Sequence, residues 1–198
     1  MNNLNDTLKD ARENHIPVLL DDSALFLKEF VTKGQFLNIL EIGTAVGYSG
    51  SIMLLNSPNA HLTTIEIKKD SFDKAIQTFK QNNLSNRVEQ ILGDAYDVIL
   101  KLKQQNKKYD LIFLDGPKGQ YLKYYPILLE MLEESGCLLV DNVLLHGMVK
   151  SGIDYGHKKR AMITKLRKFV SEIETRQDLK TIIHEDIGDG MAEIYKKI

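Results

Sequence analysis

A strand, a turn and a helix follow one another in residues 37–49, and this feature constrains the fold more than any other. The segment LNILEIGTAVGYS contains an apolar run that breaks at Gly43 and Gly47. The run predicts a buried strand, and the residues from Ser49 to Asn56 predict the start of a helix. Such a turn lies at the carboxyl edge of a parallel sheet, where α/β proteins usually bind their ligands.

The glycine spacing indicates the type of ligand. A dinucleotide motif requires G-x-G-x-x-G, because its second glycine lets the backbone contact a pyrophosphate. Here Ala45 and Tyr48 hold the second and third glycine positions. The pattern therefore favours a nucleoside ligand without phosphates, such as S-adenosylmethionine (SAM), whose positive end Glu41 would face. Many α/β turns are glycine-rich for steric reasons alone, so the motif also fits a purely structural turn.

Strand and helix patterns alternate along the rest of the chain, which predicts a parallel sheet with helices on both faces. Two final strand patterns around Gly188-Asp189-Gly190 predict a hairpin. We expect an α/β fold with a doubly wound, seven-stranded, mostly parallel, Rossmann-like sheet, a C-terminal antiparallel hairpin and N-terminal helices. Residues 1–198 are predicted to form one domain. Residues 1–34 would be a helical lid, a partner interface or a segment packed on the sheet. The predicted strands after the first are 61–67, 87–92, 109–115, 137–141, 180–187 and 191–196, and the predicted helices include 5–13, 23–33, 70–82, 120–134 and 158–176.

Composition limits the classes of function. The net charge of −1 gives no global attraction to nucleic acid or to an anionic membrane. Cys137 is the only cysteine, which excludes an intramolecular disulfide and a cysteine metal site. No apolar run approaches the length of a membrane span, so we expect a cytoplasmic protein with no membrane partner.

Two acidic residues at predicted strand ends suit a nucleoside. Glu66 ends the second strand, and an acid there can accept both ribose hydroxyls. Asp94 follows the third strand, where it would meet an adenine amino group or cap the next helix. A solvated loop acid is the alternative for Glu66.

Three oxygen donors end the fourth and fifth strands. Asp115 ends one strand, and Asp141 and Asn142 end the other. If the two strands are neighbours, their ends lie about 5 Å apart. This donor set suits Mg²⁺ or a similar divalent cation. Lys118 follows three residues after Asp115, and a lysine beside a bound cation loses its proton more easily, which predicts a general base. The alternatives are that one aspartate caps a helix, that the other is a loop residue, and that Lys118 is an ordinary surface lysine.

Together these motifs resemble the class I SAM-dependent methyltransferases, and among them the cation-dependent O-methyltransferases of the catechol and caffeoyl-coenzyme A type. The resemblance covers residues 15–195. Lys118-Gly119-Gln120-Tyr121 and the Asp141-Asn142-Val143-Leu144 segment are also similar to bacterial tRNA 5-hydroxyuridine methyltransferases. Pro117 departs from the small residues that relatives often carry, but it removes no ligand.

The resemblance implies a mechanism and a set of site residues. The metal would bind the substrate hydroxyl and its neighbouring oxygen, Lys118 would take the proton, and the oxyanion would attack the SAM methyl group. The preferred substrate is 5-hydroxyuridine at the tRNA wobble position, converted to 5-methoxyuridine, and relatives are commonly homodimers. The implied catalytic residues are Lys118, Asp115 and Asp141, and the metal ligands are Asp115, Asp141 and Asn142. The implied SAM contacts are Leu19, Glu41, Gly43, Gly47, Ser49, Glu66, Asp94, Ala95 and Asp115.

A basic segment bears on the choice of substrate. Residues 150–168 contain seven Lys or Arg residues and one acid, and such a local basic face would position RNA phosphates. A solvated helix face is the alternative. Three other functions stay open: methylation of a small catechol or hydroxycinnamoyl ester, NAD-linked oxidoreduction, and non-catalytic SAM binding. NAD-linked oxidoreduction fits less well, because Ala45 and Tyr48 replace two glycines of the dinucleotide motif. Non-catalytic SAM binding fits less well, because a binding module has no need of the complete set of metal and base residues. The seven basic residues are Lys150, Lys158, Lys159, Arg160, Lys165, Arg167 and Lys168.

Overall fold

The structure is a computed structural model that describes residues 3–145, 147–151 and 157–197. Among these residues, seven strands form a mostly parallel sheet that ends in an antiparallel pair, which confirms the predicted fold class. The chain divides into two compact units, residues 1–98 and 99–198, and the boundary falls inside helix α5 (Ala95–Gln104). The predicted single-domain organisation stays a prediction.

The first unit is built on three parallel strands, β1 (Asn38–Ile42), β2 (His61–Glu66) and β3 (Val88–Leu92), which lie in the order β3-β2-β1. Ile42 of the first strand lies opposite Ile65 of the second, and Glu66 lies opposite Leu92 of the third. The ends of these strands therefore share one edge, as the sequence predicts. The elements are α1 (Asn3–Glu13), α2 (Asp21–Gly34), β1 (Asn38–Ile42), α3 (Tyr48–Asn56), β2 (His61–Glu66), α4 (Lys69–Gln81) and β3 (Val88–Leu92).

Close packing of α3 on the sheet depends on Gly50. A Cβ atom at this position would lie 2.8 Å from Leu62 Cδ2, 3.0 Å from Phe79 Cζ and 3.1 Å from Glu41 Oε2. Such distances leave no room for a side chain without movement of buried neighbours. Gly50 therefore permits close packing of the helix on the strand. The third glycine of a dinucleotide motif has the same role in other proteins.

The second unit carries the four strands β4 (Tyr109–Leu114), β5 (Leu132–Val140), β6 (Leu179–His184) and β7 (Met191–Lys196). They lie in the order β4-β5-β7-β6. The β4–β5 pair is parallel, and β7 pairs antiparallel with both β5 and β6. Its core includes Tyr121, Tyr125 and Phe169, with Phe169 making edge contacts to both tyrosine rings. After α5 the elements are β4 (Tyr109–Leu114), α6 (Tyr121–Met131), β5 (Leu132–Val140), α7 (His157–Thr175), β6 (Leu179–His184) and β7 (Met191–Lys196).

The structure corrects the predicted boundaries of one helix and two strands. The strand predicted over 137–141 begins at Leu132. The helix predicted over 120–134 ends at Met131, and Gly136 lies inside β5 rather than at a helix end. A Cβ atom on Gly136 would lie 2.9 Å from the Leu132 side chain and 3.0 Å from the Asp110 carbonyl oxygen, so this glycine permits a close approach. The strand predicted over 180–187 ends at His184, because residues 185–190 form a longer loop than the tight turn that the glycines predict.

The N-terminal helices pack within the first unit. Helix α1 contacts α3 and α4, and α2 contacts α3. The role of residues 1–34 as a lid, a partner interface or a segment packed on the sheet stays a prediction. No helix in the described part of the chain is long and apolar enough to cross a membrane. The cytoplasmic location stays a prediction.

Candidate functional site

The turn after β1 adopts a left-handed backbone at three positions. The φ angles are 104° at Gly43, 46° at Ala45 and 80° at Gly47. At Gly47 a side chain would also meet the Phe79 ring at 3.1 Å. Alanine in the left-handed region costs roughly 1–2 kcal/mol, so the turn holds Ala45 against its own preference. The glycines thus fix the shape of the turn, as the motif predicts.

Three main-chain amides hold the carboxylate of Glu66. Ala45 N–H donates to Oε2 at 2.8 Å, while Ile67 and Lys68 N–H donate to Oε1 at 2.9 and 2.8 Å. The side chain is 9% exposed, so these bonds orient it firmly. Because each carboxylate oxygen can accept about two bonds, Oε2 still has room for a ribose hydroxyl. This geometry excludes the alternative of a freely solvated loop acid.

Glu41 is fully buried and lies in a hydroxyl network. Ser49 Oγ donates to Glu41 Oε1, and Thr64 Oγ1 donates to Oε2 at 2.6 Å. Thr44 and Thr64 share a further hydroxyl contact of 2.6 Å. These bonds tie the turn, the helix start and β2 together. Direct contact of Glu41 or Ser49 with a ligand stays a prediction, and the positioning role of Thr64 is one that the sequence analysis missed.

The remaining predicted nucleoside contacts lie near the end of β3 and before α2. Asp94 Oδ1 accepts a bond from Tyr96 N–H at 2.9 Å, so it caps α5, as one of its two predicted roles requires. Ala95 is the first residue of that helix, and Leu19 is buried before α2. Leu92 is 43% exposed and Ile67 62% exposed, which offers apolar surface beside two of the predicted contacts.

The second unit brings Asp115 and Asp141 to matching ends of neighbouring strands. Leu114 lies opposite Val140 in the β4–β5 ladder, and each aspartate follows its strand directly. Asp141 N–H donates to the Leu114 carbonyl oxygen at 3.1 Å. Asp141 is 2% exposed. The adjacency of these strand ends, on which the predicted cation site depends, is therefore confirmed.

The pKa values of Asp115 and Asp141 are both raised, chiefly because the two carboxyl groups are buried. Burial raises the pKa of Asp115 to about 6, against the opposing charge of Lys118. Burial, and then the negative charge of Asp115, raise the pKa of Asp141 to about 7. Both shifts favour the neutral acid, chiefly because burial penalises the charged form of each carboxyl group. Perturbed carboxylates of this kind occur often at functional sites.

Lys118 lies beside the Asp115 carboxylate, and Tyr121 lies beside the main chain of Asp141. Lys118 Nζ lies 3.6 Å from Asp115 Oδ1, which is ion-pair rather than hydrogen-bond distance. Tyr121 is fully buried, and its hydroxyl donates to the Asp141 carbonyl oxygen at 3.2 Å. Burial and the charges of Asp115 and Asp141 raise the pKa of the Tyr121 phenol, which stays neutral and able to donate. Tyr121 thus positions the backbone at Asp141.

The donor chemistry of this edge fits a hard divalent cation. Asn142 has a left-handed φ of 57°, and its N–H donates to Asp141 Oδ1 at 2.8 Å. Two carboxylates and an amide offer oxygen ligands only, and a bound divalent cation would favour the ionised form of both buried aspartates. No group of three or more His, Cys, Asp or Glu side chains among the described residues could hold a metal ion. The predicted ligand set of Asp115, Asp141 and Asn142, which includes only two such side chains, stays a prediction.

The basic segment is only partly available as a surface. Arg167 donates to the carbonyl oxygens of Val149 and Met148 at 2.8 and 2.9 Å, and Lys150 pairs with Glu185. Residues 146 and 152–156 of the predicted long loop and the Lys158 side chain lie outside the described residues. Among the described side chains of α7, the exposed cations are Lys159, Arg160, Lys165 and Lys168.

Comparisons with known proteins agree with this arrangement. A family model described as O-methyltransferase matches residues 1–197. A flavonoid 3',5'-methyltransferase of Vitis vinifera is 26% identical over 187 residues, covering 90% of this chain and 77% of the relative. Caffeoyl-CoA O-methyltransferase 2 of Eucalyptus globulus is 28% identical over 179 residues, covering 81% and 71%. A Staphylococcus aureus crystal structure provisionally named a caffeoyl-CoA O-methyltransferase has a TM-score of 0.88 and 30% identity, covering 98% and 92%.

Proposed function

The chain belongs to the O-methyltransferase family, and from that premise we propose that it methylates a hydroxyl of a small aromatic compound with a neighbouring oxygen. The methyl donor in this proposal is S-adenosylmethionine, and the cation is Mg²⁺ or a similar divalent ion. The names of the relatives, which refer to flavonoids and to caffeoyl-CoA, support a small aromatic acceptor over the tRNA wobble uridine. Both acceptors share the chemistry of two adjacent oxygens.

One observation carries the proposal: Asp115 and Asp141 lie at neighbouring strand ends with Lys118 beside them. Asp115, Asp141 and Asn142 would hold the cation through oxygen atoms. When bound, the cation lowers the pKa of the substrate hydroxyl and orients its oxygens. Lys118 Nζ would accept the hydroxyl proton. A non-catalytic binding protein has no need of such a set.

The first unit supplies the proposed binding residues for the methyl donor. Glu66 would accept the ribose hydroxyls, since three main-chain amides already fix its orientation. Gly43 and Gly47 would let the backbone of the turn approach the ligand. The other proposed contacts are Leu19, Glu41, Ser49, Asp94, Ala95 and Asp115.

The test uses labelled SAM with catechol or a caffeoyl ester as the acceptor, for wild type and Asp141→Asn. We expect Asp141→Asn to lower the rate at least about a hundredfold while the SAM dissociation constant stays within about twofold, since the variant removes the negative charge of one cation ligand. Treatment with a chelator should abolish wild-type activity, and Mg²⁺ should restore it. Lys165→Gln, on the exposed face of α7, serves as the control. Full activity after chelation would contradict the cation role.

A second candidate substrate is tRNA with 5-hydroxyuridine at the wobble position. Its support is the row of exposed cations on α7, which would contact phosphates in a salt-dependent manner. Charge reversal at Lys159 and Arg160 should then weaken tRNA methylation and leave catechol methylation unchanged. Equal loss on both substrates would indicate a folding effect, and no methylation of hypomodified tRNA by wild type would remove this candidate.

A homodimer is also proposed. Its support is the apolar surface of α2 and the following residues, where Leu25 is 57% and Leu37 51% exposed and the rings of Phe26, Phe30 and Phe36 stack in sequence. Light scattering of wild type and of Leu25→Glu tests it. A monomeric wild type would contradict the proposal.

A further inference from the structure

We propose that Arg167 of α7 is a positioning residue for the methyl acceptor, because it holds the chain that follows Asp141 and Asn142 in a fixed shape beside the cation site. The inference rests on the proposed function and adds to it a residue that would touch neither the acceptor nor the cation. In sequence Arg167 belongs to the basic segment, but its guanidinium group donates to two main-chain carbonyl oxygens. The chain that it holds is the 143–151 segment, of which the structure describes residues 143–145 and 147–151.

The 143–151 segment begins directly after the proposed cation ligands. Consecutive Cα atoms are about 3.8 Å apart, so the Leu144 Cα atom lies within about 8 Å of the Asn142 Cα atom. An aromatic acceptor bound to the cation through its oxygens is of comparable length, so its ring would reach this segment. Leu145 and Met148 are half-buried, which leaves apolar surface on which a ring can pack.

Arg167 fastens the far end of the segment to α7. Its Nε donates to the Val149 carbonyl oxygen at 2.8 Å, and its Nη2 donates to the Met148 carbonyl oxygen at 2.9 Å. Val149 N–H donates in turn to the Leu144 carbonyl oxygen at 3.2 Å, and Met148 N–H to that of Leu145 at 3.0 Å. The guanidinium group therefore fixes the two residues that fold back onto the start of the segment. Its rigid fork suits two neighbouring oxygens, and a lysine ammonium has no such fork.

The backbone of the segment needs this support, because it is left-handed at two positions. The φ angle is 46° at Leu145 and 74° at Gly147. A leucine rarely adopts such a φ, and strained backbone persists only where the surrounding contacts fix it. On the other side, Leu144 and Leu145 N–H donate to the Asp189 carbonyl oxygen at 2.8 and 3.1 Å. The segment is therefore held from two directions, and Arg167 supplies one of them.

The first experiment compares steady-state kinetics with catechol for wild type and Arg167→Met, which removes both hydrogen bonds and keeps an apolar stem. We expect the KM for catechol to rise about tenfold, while kcat falls less than about threefold and the SAM dissociation constant stays within about twofold. Arg176→Met is the matched control, because Arg176 pairs with Asp178 and not with the segment. Its KM for catechol should stay within about 1.5-fold of wild type.

Arg167→Lys separates charge from shape. It keeps the positive charge and loses the fork, so we expect a KM about fivefold above that of wild type. Full recovery of the wild-type KM by lysine would show that charge alone acts, and would overturn the inference.

Gly147→Ala disturbs the same segment without changing Arg167. No atom of the described residues lies within 4 Å of a Cβ atom at this position, so alanine adds no clash and only disfavours the left-handed φ. We expect the KM for catechol to rise about three- to fivefold, again with unchanged SAM binding. An effect of the Arg167 variants alone would indicate a direct contact of Arg167 with the acceptor and would overturn its positioning role.

Hydrogen exchange of the free protein measures the clamp without acceptor, SAM or cation. The N–H groups of Met148 and Val149 should exchange about tenfold faster in Arg167→Met than in wild type, and at the wild-type rate in Arg176→Met. A raised KM without faster exchange, or faster exchange without a raised KM, would overturn the inference and leave the proposed function intact. A wild type that methylates neither catechol nor a caffeoyl ester would overturn both.

Discussion

Replacing Glu66 with glutamine tests the amide-held carboxylate directly. Glutamine has the same shape, but its amino group cannot accept a hydrogen bond. Oε1 accepts two main-chain bonds and Oε2 accepts one, from Ala45. The glutamine side chain therefore loses least when its amide oxygen faces the Ile67 and Lys68 N–H groups. In that orientation it loses the hydrogen bond from Ala45 N–H. It also brings two donors together at the strained turn.

The magnitude follows from this count of bonds. A lost bond to a charged group costs about 1.5–3 kcal/mol, so the free energy of unfolding should fall by that amount. For a chain of this size the melting temperature should fall by about 3–12 °C. The proposed ribose contact loses its charged acceptor as well, so we expect SAM to bind about ten- to hundredfold more weakly.

Urea unfolding and calorimetric titration with SAM measure the two effects separately. Glu89→Gln is the control, since Glu89 is exposed and accepts only one long bond of 3.5 Å from Thr63. This control should change stability by less than about 0.5 kcal/mol. Lower stability of Glu66→Gln with unchanged SAM affinity would refute the ribose role. Unchanged stability would refute the importance of the three amides.

Three further predictions concern other parts of the chain. Tyr121→Phe should lower the free energy of unfolding by about 1 kcal/mol and weaken Mn²⁺ binding about threefold, because it removes the hydrogen bond that positions Asp141. An unchanged Mn²⁺ dissociation constant, measured by electron paramagnetic resonance, would contradict this. Gly50→Ala should cost about 1–3 kcal/mol in urea unfolding, since its Cβ atom would meet Leu62 at 2.8 Å, and a neutral result would contradict the tight contact. Burial raises the pKa of Cys137 to about 12, so the folded protein should not react with a thiol reagent at pH 8 although the urea-unfolded protein should; fast labelling of the folded form would contradict this.

Short sequence patterns were sufficient to predict the features whose geometry depends on residues close by in the sequence. The turn glycines, the aspartates at strand ends and the Asp94 cap all follow strands or precede helices, and their geometry is set within a few residues. The adjacency of Asp115 and Asp141 needed one more rule, that the carboxyl ends of paired parallel strands share an edge.

Features that depend on distant parts of the chain escaped prediction. The amide of Ala45 reaches Glu66 across 21 residues, and Thr64 reaches Glu41 across 23, so no short pattern marks either bond. Gly136 resembles a helix end in sequence, but its position is decided by the closeness of Asp110. Tertiary contact overrode local preference in each case.

The backbone origin of the donors to Glu66 has a consequence for sequence divergence. Because the hydrogens come from the main chain at positions 45, 67 and 68, exchange of those three side chains cannot delete them, and only proline would. The carboxylate orientation therefore makes no demand on the side chains at positions 67 and 68, whereas the left-handed φ of 46° restricts position 45. The acid itself should tolerate replacement far less than its partners do.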